Sequence, residues 1–306
     1  MNLKVYCPDI ECDSCVRVIS KALEKLEGID SFKVHKDSVE VMYDGEAINK
    51  EVVLKAIKEK GYRVGLEPFE RKSFRERFRD FKENKKKYEL EYRMLKYSLF
   101  TLLLLVFLEL IGYATFWNTA GFFSKYALWF LYLDLAVVSV GAAMLHLKSY
   151  RAKFTSMVGM MVGMTMGMQT GMMLGTIVGV TNGLFVGGLL GMILGVGVGF
   201  FNGKCCGVMG VMEGAMAGVM GGVMGSMIGT MFRVDHIMWF MPFFMSINVV
   251  ILWGLSYMLF EEVVEGNELV KKVQVDFLTF SSYCILVVAV LILVMVYGFK
   301  TGLAVV

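Results

Sequence analysis

Cysteine residues near the start of the chain have the spacing of a thiolate metal site. Cys12 and Cys15 form a CxxC motif, and Cys7 stands shortly before it. Two thiolates bind soft ions such as Cu(I) well, and a two-coordinate ion stays open to ligand exchange. The motif therefore predicts a site for Cu(I), Ag(I) or Hg(II) at Cys12 and Cys15, with Cys7 as a third donor.

A second pair of cysteines, Cys205 and Cys206, stands far along the chain. Lys204 precedes the pair, and its positive charge favours the thiolate form. Adjacent cysteines are too strained for an easy internal disulfide, so one interpretation is a second stop for a soft metal. The alternative is that both pack as small apolar side chains.

Methionine recurs at every fourth position in two apolar segments. Leucine would serve a lipid-facing position at least as well, whereas the uncharged thioether is a soft ligand for Cu(I) or Ag(I). The pattern resembles, in chemistry, the methionine-lined pore of the copper uptake transporter family. An ion path and flexible filling beside glycine both remain open. The two rows are Met160, Met164, Met168 and Met172, then Met212, Met216, Met220 and Met224.

Three acidic residues stand within apolar segments: Glu109, Asp134 and Glu213. An ionisable group inside a membrane is costly and marks either an ion path or a buried pair. Glu213 follows Met212 directly, so we assign it to the predicted metal path. Asp134, near the middle of its segment, is a candidate for proton coupling.

The composition is that of a polytopic membrane protein. The 306 residues are 56% hydrophobic with a mean hydropathy of +0.59, and the charges concentrate in the first 97 residues. We expect seven spans of roughly 20 residues each and no nucleic-acid partner. The predicted spans are 97–117, 123–147, 154–180, 184–201, 206–231, 237–260 and 277–299.

Glycine occupies every fourth position from 159 to 207. As one helix this stretch would be roughly 70 Å long, more than twice the hydrocarbon thickness of a bilayer. We therefore predict turns at 181–183 and 201–207. Small residues four apart let helix backbones approach closely in lipid, so the pattern predicts a glycine zipper of three consecutive spans.

The first 67 residues alternate between strand and helix patterns in the order β-α-β-β-α-β, which predicts a ferredoxin-like α+β fold. Cys12-Asp13-Ser14-Cys15 stands between the first strand and helix, and "AIKEKGYRVG" precedes the last strand. On these motifs the segment resembles a heavy-metal-associated domain, as in copper chaperones. The resemblance implies metal binding by residues 1–67. Asp9, Ile10 and Glu11 depart from the Gly-Met-x that usually precedes the first cysteine.

Residues 68–96 form a basic linker before the transmembrane domain of residues 97–306. Residues 70–97 carry eleven Lys or Arg and six Asp or Glu, with apolar residues at heptad gaps. We predict one long helix from about residue 70 into the membrane. A coiled-coil seam would make the protein a homo-oligomer, and the alternative is an amphipathic helix on anionic lipid.

Basic residues lie in the connections after the second and sixth spans, on the same side as the linker. The positive-inside rule then predicts a cytosolic N-terminal domain in a multi-pass protein of the plasma membrane.

These patterns together predict a transporter or channel for a soft monovalent metal ion, Cu(I) first, that receives metal from or gives it to the CxxC domain. A soluble metallochaperone is a candidate partner. We expect no enzyme activity, because no DKTGT, intramembrane CPC or P-loop motif is present. The alternatives are a mercury uptake protein, which the vicinal cysteine pair resembles, a membrane-anchored metallochaperone or sensor, and a thiol redox relay.

Overall fold

The computed structural model shows a small α+β domain followed by a helical part. It describes residues 1–10, 13–45, 47–69, 74–84, 88–115, 122–151, 155–204, 207–232, 235–264, 271–273 and 276–301.

The N-terminal domain has a three-stranded antiparallel sheet with two helices. In chain order these are β1 (Asn2–Tyr6), α1 (Asp13–Leu23), β2 (Ile29–Val34), β3 (Ser38–Tyr43) and α2 (Lys50–Lys58). The strands lie in the order β1-β3-β2. This arrangement confirms the predicted ferredoxin-like fold, with a core that includes the fully buried Val5, Ile19, Val41 and Val53.

The predicted last strand of this domain is shortened to a single bridge. Tyr6 and Gly65 exchange backbone hydrogen bonds of 2.9 and 3.0 Å. Two residues earlier, the backbone N–H of Arg63 donates to Asp9 Oδ2 at 2.8 Å. The Asp9 carboxylate therefore accepts the backbone hydrogen bond that a neighbouring strand would otherwise accept from Arg63.

The predicted long helix from residue 70 into the membrane is wrong, because the structure has two helices there. α3 (Phe74–Glu83) ends before Asn84, and α4 (Glu89–Thr115) begins after it. The Asn84 side chain donates to the Asp80 carboxylate one turn back. Asparagine at this position is typical of a helix end. Lys85, Lys86 and Lys87 lie outside the described residues.

Six helices of the described chain are long and apolar enough to cross a membrane, which confirms a multi-pass helical part. These are α4, α5 (Phe122–Ser149), α7 (Leu184–Gly203), α8 (Gly207–Met231), α9 (Ile237–Leu259) and α10 (Phe277–Tyr297); a π-helical turn, Phe260–Val264, continues α9.

The segment predicted as the third span, 154–180, forms α6 (Ser156–Asn182). It is less apolar than the six helices above, so six helices of the described chain, and not seven, are apolar enough to cross a membrane. Glycine, threonine and Gln169 lower the hydropathy of α6. α6 packs against α5, α7, α8 and α9, so protein covers much of its surface. A helix in that position needs small residues for close packing more than it needs apolarity.

Glycines bring α6, α7 and α8 into backbone contact. A Cβ atom on Gly191 of α7 would lie 2.9 Å from the Cα atoms of both Gly175 and Gly222, where no side chain fits. The same contact repeats at every turn of the three helices. The layers are Gly163, Gly203 and Gly210; Gly167, Gly199 and Gly214; Gly171, Gly195 and Gly218; Gly175, Gly191 and Gly222; and Gly179, Gly187 and Ser226.

The turns between these helices fall where the glycine period predicts them. α6 ends at Asn182, and Gly183 turns the chain with a φ of +98°, which favours glycine. The Asn182 amide donates to the Val294 carbonyl oxygen of α10 at 3.0 Å. This end of α6 is thereby fixed to the end of α10.

The N-terminal domain and two basic connections lie at the opposite end. β4 (Tyr150–Arg151) pairs with β5 (Lys271–Lys272), so the α5–α6 and α9–α10 connections meet. Arg63 of the N-terminal domain donates to the Glu261 carbonyl oxygen just after α9. One end of the helical part therefore holds the predicted metal domain together with these basic connections.

Candidate functional site

The metal loop joins β1 to α1 and places two of its three cysteines in the domain core. Cys7 follows β1 and Cys15 lies in the first turn of α1; both are buried, and the two thiols are close enough to interact electrostatically. Cys15 lies at the N-terminal end of α1, which is the positive end of the helix dipole. Cys12 lies outside the described residues.

The chemistry of this donor pair fits a soft metal ion, because soft ions prefer sulfur ligands to oxygen ligands. Within the described residues, no group of three or more His, Cys, Asp or Glu side chains is placed to hold a metal.

Cys7 differs from an ordinary exposed thiol. Burial raises the pKa of Cys7 to about 12, and the negative charge of Asp9 adds to the rise. The metal-free site thus holds Cys7 as a neutral thiol at neutral pH. Binding of a metal at Cys7 would release that proton.

We expect the metal-free protein to lose stability as the pH rises from about 9 to about 12. The unfolded Cys7 thiol ionises near its ordinary pKa of 9.0 and the folded one near 12, so ionisation favours the unfolded chain in this window. Thermal unfolding across this pH range measures the effect. Cys7→Ala should flatten the slope, and an identical slope in both proteins would contradict the assignment.

An ion pair between Asp9 and Arg63 joins the loop after β1 to the segment after α2. Arg63 Nε donates to Asp9 Oδ1 at 3.0 Å, and Arg63 Nη2 approaches the same oxygen at 2.5 Å. Both side chains are largely buried. Asp9 is one of the residues that depart from the usual loop sequence, and its role here is to fix the loop through Arg63.

The same arginine joins the domain to the membrane part. Arg63 Nη1 donates to the Glu261 carbonyl oxygen at 3.0 Å. Burial by itself would lower the pKa of Arg63, but Asp9, Glu262 and Glu261 raise it overall, so the guanidinium stays charged. The metal loop and the end of α9 therefore share one cation.

We expect Arg63→Ala to release the N-terminal domain from α9. The change leaves the Asp9 carboxylate buried without its cation, which costs about 3–5 kcal/mol, and removes the hydrogen bond to Glu261. Hydrogen exchange of residues 260–264 should become faster. Lys60→Ala, an exposed basic neighbour, is the control, and equal exchange in both variants would contradict the docking.

The second predicted cysteine pair stands in the sequence between α7 and α8. Cys205 and Cys206 lie outside the described residues. Lys204 precedes them, and its ammonium group lies 4.9 and 5.0 Å from the ring centres of Phe200 and Phe201. Gly203 and Gly210, on either side of this connection, contact each other in the first glycine layer.

Methionine covers one face of α8. All seven methionines of this helix are exposed, by 43 to 67%, whereas its glycines from 210 onwards are buried against α6 and α7. The predicted row is part of that face, and Glu213 is half-buried beside it. In one copy of the chain this row points away from the bundle. The face comprises Met209, Met212, Met216, Met220, Met224, Met227 and Met231.

The methionine row of α6 runs along its seam with α8. A Cβ atom on Gly225 would lie 2.5 Å from the Met172 carbonyl oxygen, and one on Gly221 would lie 3.0 Å from the Met168 Cα atom. Met160, Met168 and Met172 are half-buried and Met164 is exposed. The α6 row therefore lies beside α8 and is more buried than the α8 row.

Other methionines, outside the two predicted rows, fill the core of the helical part. Met166 and Met173 lie on the inner face of α6, seven residues apart, a spacing that would have marked one helix face. They belong to one core cluster with Met241, Met245 and Met295, and all five are at most 1% exposed.

An apolar cavity of about 580 Å³ lies between α4, α5 and α9. Glu91 and His146 line it, with His146 Nε2 3.5 Å from Glu91 Oε1. The Tyr150 hydroxyl donates to the same carboxylate oxygen. This polar group was missed because its members come from separate segments of the sequence.

Comparisons with known proteins agree with this site. The family model of the heavy-metal-associated domain matches residues 4–63. The heavy metal-associated isoprenylated plant protein 31 of Arabidopsis thaliana is 28% identical over 69 residues, which cover 22% of this chain and 49% of that protein. The chain thus spans about half the length of that relative. No solved structure matches the chain significantly.

The match, the fold and the buried cysteines together identify the N-terminal segment as a heavy-metal-associated domain, which implies that it binds heavy metal ions. The domain precedes a multi-pass helical part, so the protein combines heavy-metal binding with membrane-spanning helices.

Proposed function

We propose that the protein carries a soft monovalent metal ion, Cu(I) first, across the plasma membrane. The observation that carries the proposal is a metal-binding domain joined by Arg63 to a helical part in which α8 bears seven methionines on one face. The domain would lie in the cytosol, where it would exchange metal with this part or with a soluble metallochaperone.

The thioether face suits such an ion for a physical reason. Uncharged sulfur binds Cu(I) and Ag(I) but ignores hard ions such as Na⁺ and Mg²⁺. It adds no buried charge of its own. Successive weak sites also let an ion leave each site as readily as it enters. A face of seven methionines where leucine would serve lipid equally well is best explained by metal contact.

The glycine contact argues against an ion path inside the α6–α7–α8 unit. The interior of the α6–α7–α8 unit has no room for a Cβ atom at Gly191, and hence none for an ion. We therefore infer that the exposed α8 face would line the path between copies of the chain, in a homo-oligomer. Glu213 at the border of this face would help to hold the cation, and Cys205 and Cys206 would receive it from Cys12 and Cys15.

Flux of Ag⁺ into vesicles that contain the full-length protein tests this function. We expect saturable entry of Ag⁺ that Cu(I) inhibits and that excess Na⁺ or Mg²⁺ leaves unchanged. Entry no faster than in protein-free vesicles would contradict transport. That result would favour the membrane-anchored metallochaperone or sensor, with which the outward position of the methionines in one copy agrees.

A mercury uptake protein is the second candidate, favoured by the adjacent Cys205 and Cys206. Competition separates the two. Cu(I) transport predicts that Cu(I) inhibits Ag⁺ entry more strongly than Hg(II) does at equal concentration. Stronger inhibition by Hg(II), with entry unaffected by methionine replacement, would assign the protein to mercury instead.

A further inference from the structure

Two acidic side chains, on α4 and α5, meet inside the helical part. The Glu109 carboxyl group of α4 faces the Asp134 carboxyl group of α5. Asp134 is fully buried near the middle of its helix. Within the described residues, no hydrogen-bond donor reaches either Asp134 oxygen or Glu109 Oε1.

Over residues 156–182, 237–259 and 277–297, the helices α6, α9 and α10 that pack against α5 have no basic side chain. α5 packs against α4, α6, α9 and α10. α10 contributes the Cys284 thiol, which lies close to Asp134. Neither α6, over 156–182, nor α9, over 237–259, has any acidic, basic or cysteine side chain. Among the described residues, the ionisable groups that interact with Asp134 are the Glu109 carboxyl group and the Cys284 thiol.

Two adjacent carboxylates without a cation cannot both be ionised in an apolar interior. One shared proton removes the repulsion and supplies the missing donor. We propose that Glu109 and Asp134 form a proton-binding site in the membrane, and that binding and release of this proton drive metal movement. The second half of this inference rests on the proposed transport function.

A buried polar strip connects the site towards the end that holds the N-terminal domain. The hydroxyl groups of Thr101 and Ser281 are 2.9 Å apart across α4 and α10, and both are buried. Ser281 and Cys284 share one face of α10, since they are three residues apart. Cys284 in turn lies beside Asp134. These groups mark the side from which a proton would enter.

Infrared spectroscopy of the full-length protein in lipid nanodiscs tests the proton site without any metal. At neutral pH we expect a carbonyl stretch of protonated carboxylic acid that shifts in D₂O. The band should disappear in E109Q/D134N and persist in E213Q, a variant of the acid on α8. If the parent lacks a band that the double variant removes, the site is refuted. A parent spectrum with no band of protonated carboxylic acid refutes the site by itself, so instability of the variant does not remove the test.

Vesicles with a pH gradient test the coupling separately. One pH unit across the membrane supports about a tenfold accumulation of Ag⁺ when one proton moves per ion. We expect accumulation of this size in the parent for one polarity of the gradient, and none in E109Q/D134N. Ag⁺ entry that ignores the gradient in the parent would refute the coupling. No Ag⁺ entry at all would refute the transport function, and the infrared band would still decide the proton site.

Discussion

Gly199→Ala should destabilise the helical part by at least about 3 kcal/mol, the upper range for an overpacked core. The added Cβ would overlap the Gly214 carbonyl group, with its carbon atom only 2.6 Å away, and would lie 3.1 Å from the Gly167 Cα atom. Both neighbours are backbone, so no side chain can rotate to make room. The three helices would have to separate, which would also weaken the adjoining layers.

The same helix provides the control. Gly197 lies two residues earlier, and a Cβ atom there would meet nothing within 4 Å. Gly197→Ala should leave stability unchanged or raise it by up to about 1 kcal/mol, because alanine favours helix more than glycine does. Thermal unfolding of both variants in the same detergent gives the comparison. Equal midpoints would contradict the layered backbone contact.

Replacement of both motif cysteines should lower the Ag(I) affinity of the N-terminal site by at least about 100-fold. Loss of a group that only supports a metal ligand already costs up to about 100-fold, and here the direct ligands are lost. Cys12→Ser/Cys15→Ser removes two soft donors and leaves Cys7, whose pKa near 12 keeps it a neutral thiol. A hydroxyl group is a poor ligand for a soft ion.

Competition with a chelator of known affinity measures this loss. Met42→Leu is the matched control, because it removes an exposed sulfur of the same domain that stands outside the motif. Unchanged affinity in the double variant would show that the metal binds elsewhere in the chain.

Local patterns sufficed to predict the glycine layers and the N-terminal fold. The turn near Gly183 follows from the glycine period and the rise per residue of a helix. One unbroken helix over the whole period would be much longer than a bilayer is thick. The ferredoxin-like fold follows from alternating strand and helix patterns. Both features depend on residues close together in the sequence.

Contacts between distant segments could not be predicted in the same way. Asp9 and Arg63 are separated by 54 positions, and nothing in either local sequence indicates the other. Glu109 and Asp134 were each expected to be costly inside a membrane, but whether they meet depends on how α4 and α5 rotate against each other. The burial of α6 among other helices could not be predicted from its hydropathy for a related reason. Hydropathy measures affinity for lipid, whereas α6 is covered largely by protein.

The initial rate of Ag⁺ entry into vesicles, compared between the parent and M212L/M216L/M220L/M224L, tests the central claim most directly. The account predicts at least about a tenfold lower rate, a barrier increase of about 1.4 kcal/mol, with Ag(I) binding by the N-terminal domain unchanged. V208L/V219L/V223L changes exposed residues of the same helix without loss of sulfur and should retain the parent rate. Equal rates in all three proteins would contradict a metal path along the methionines of α8.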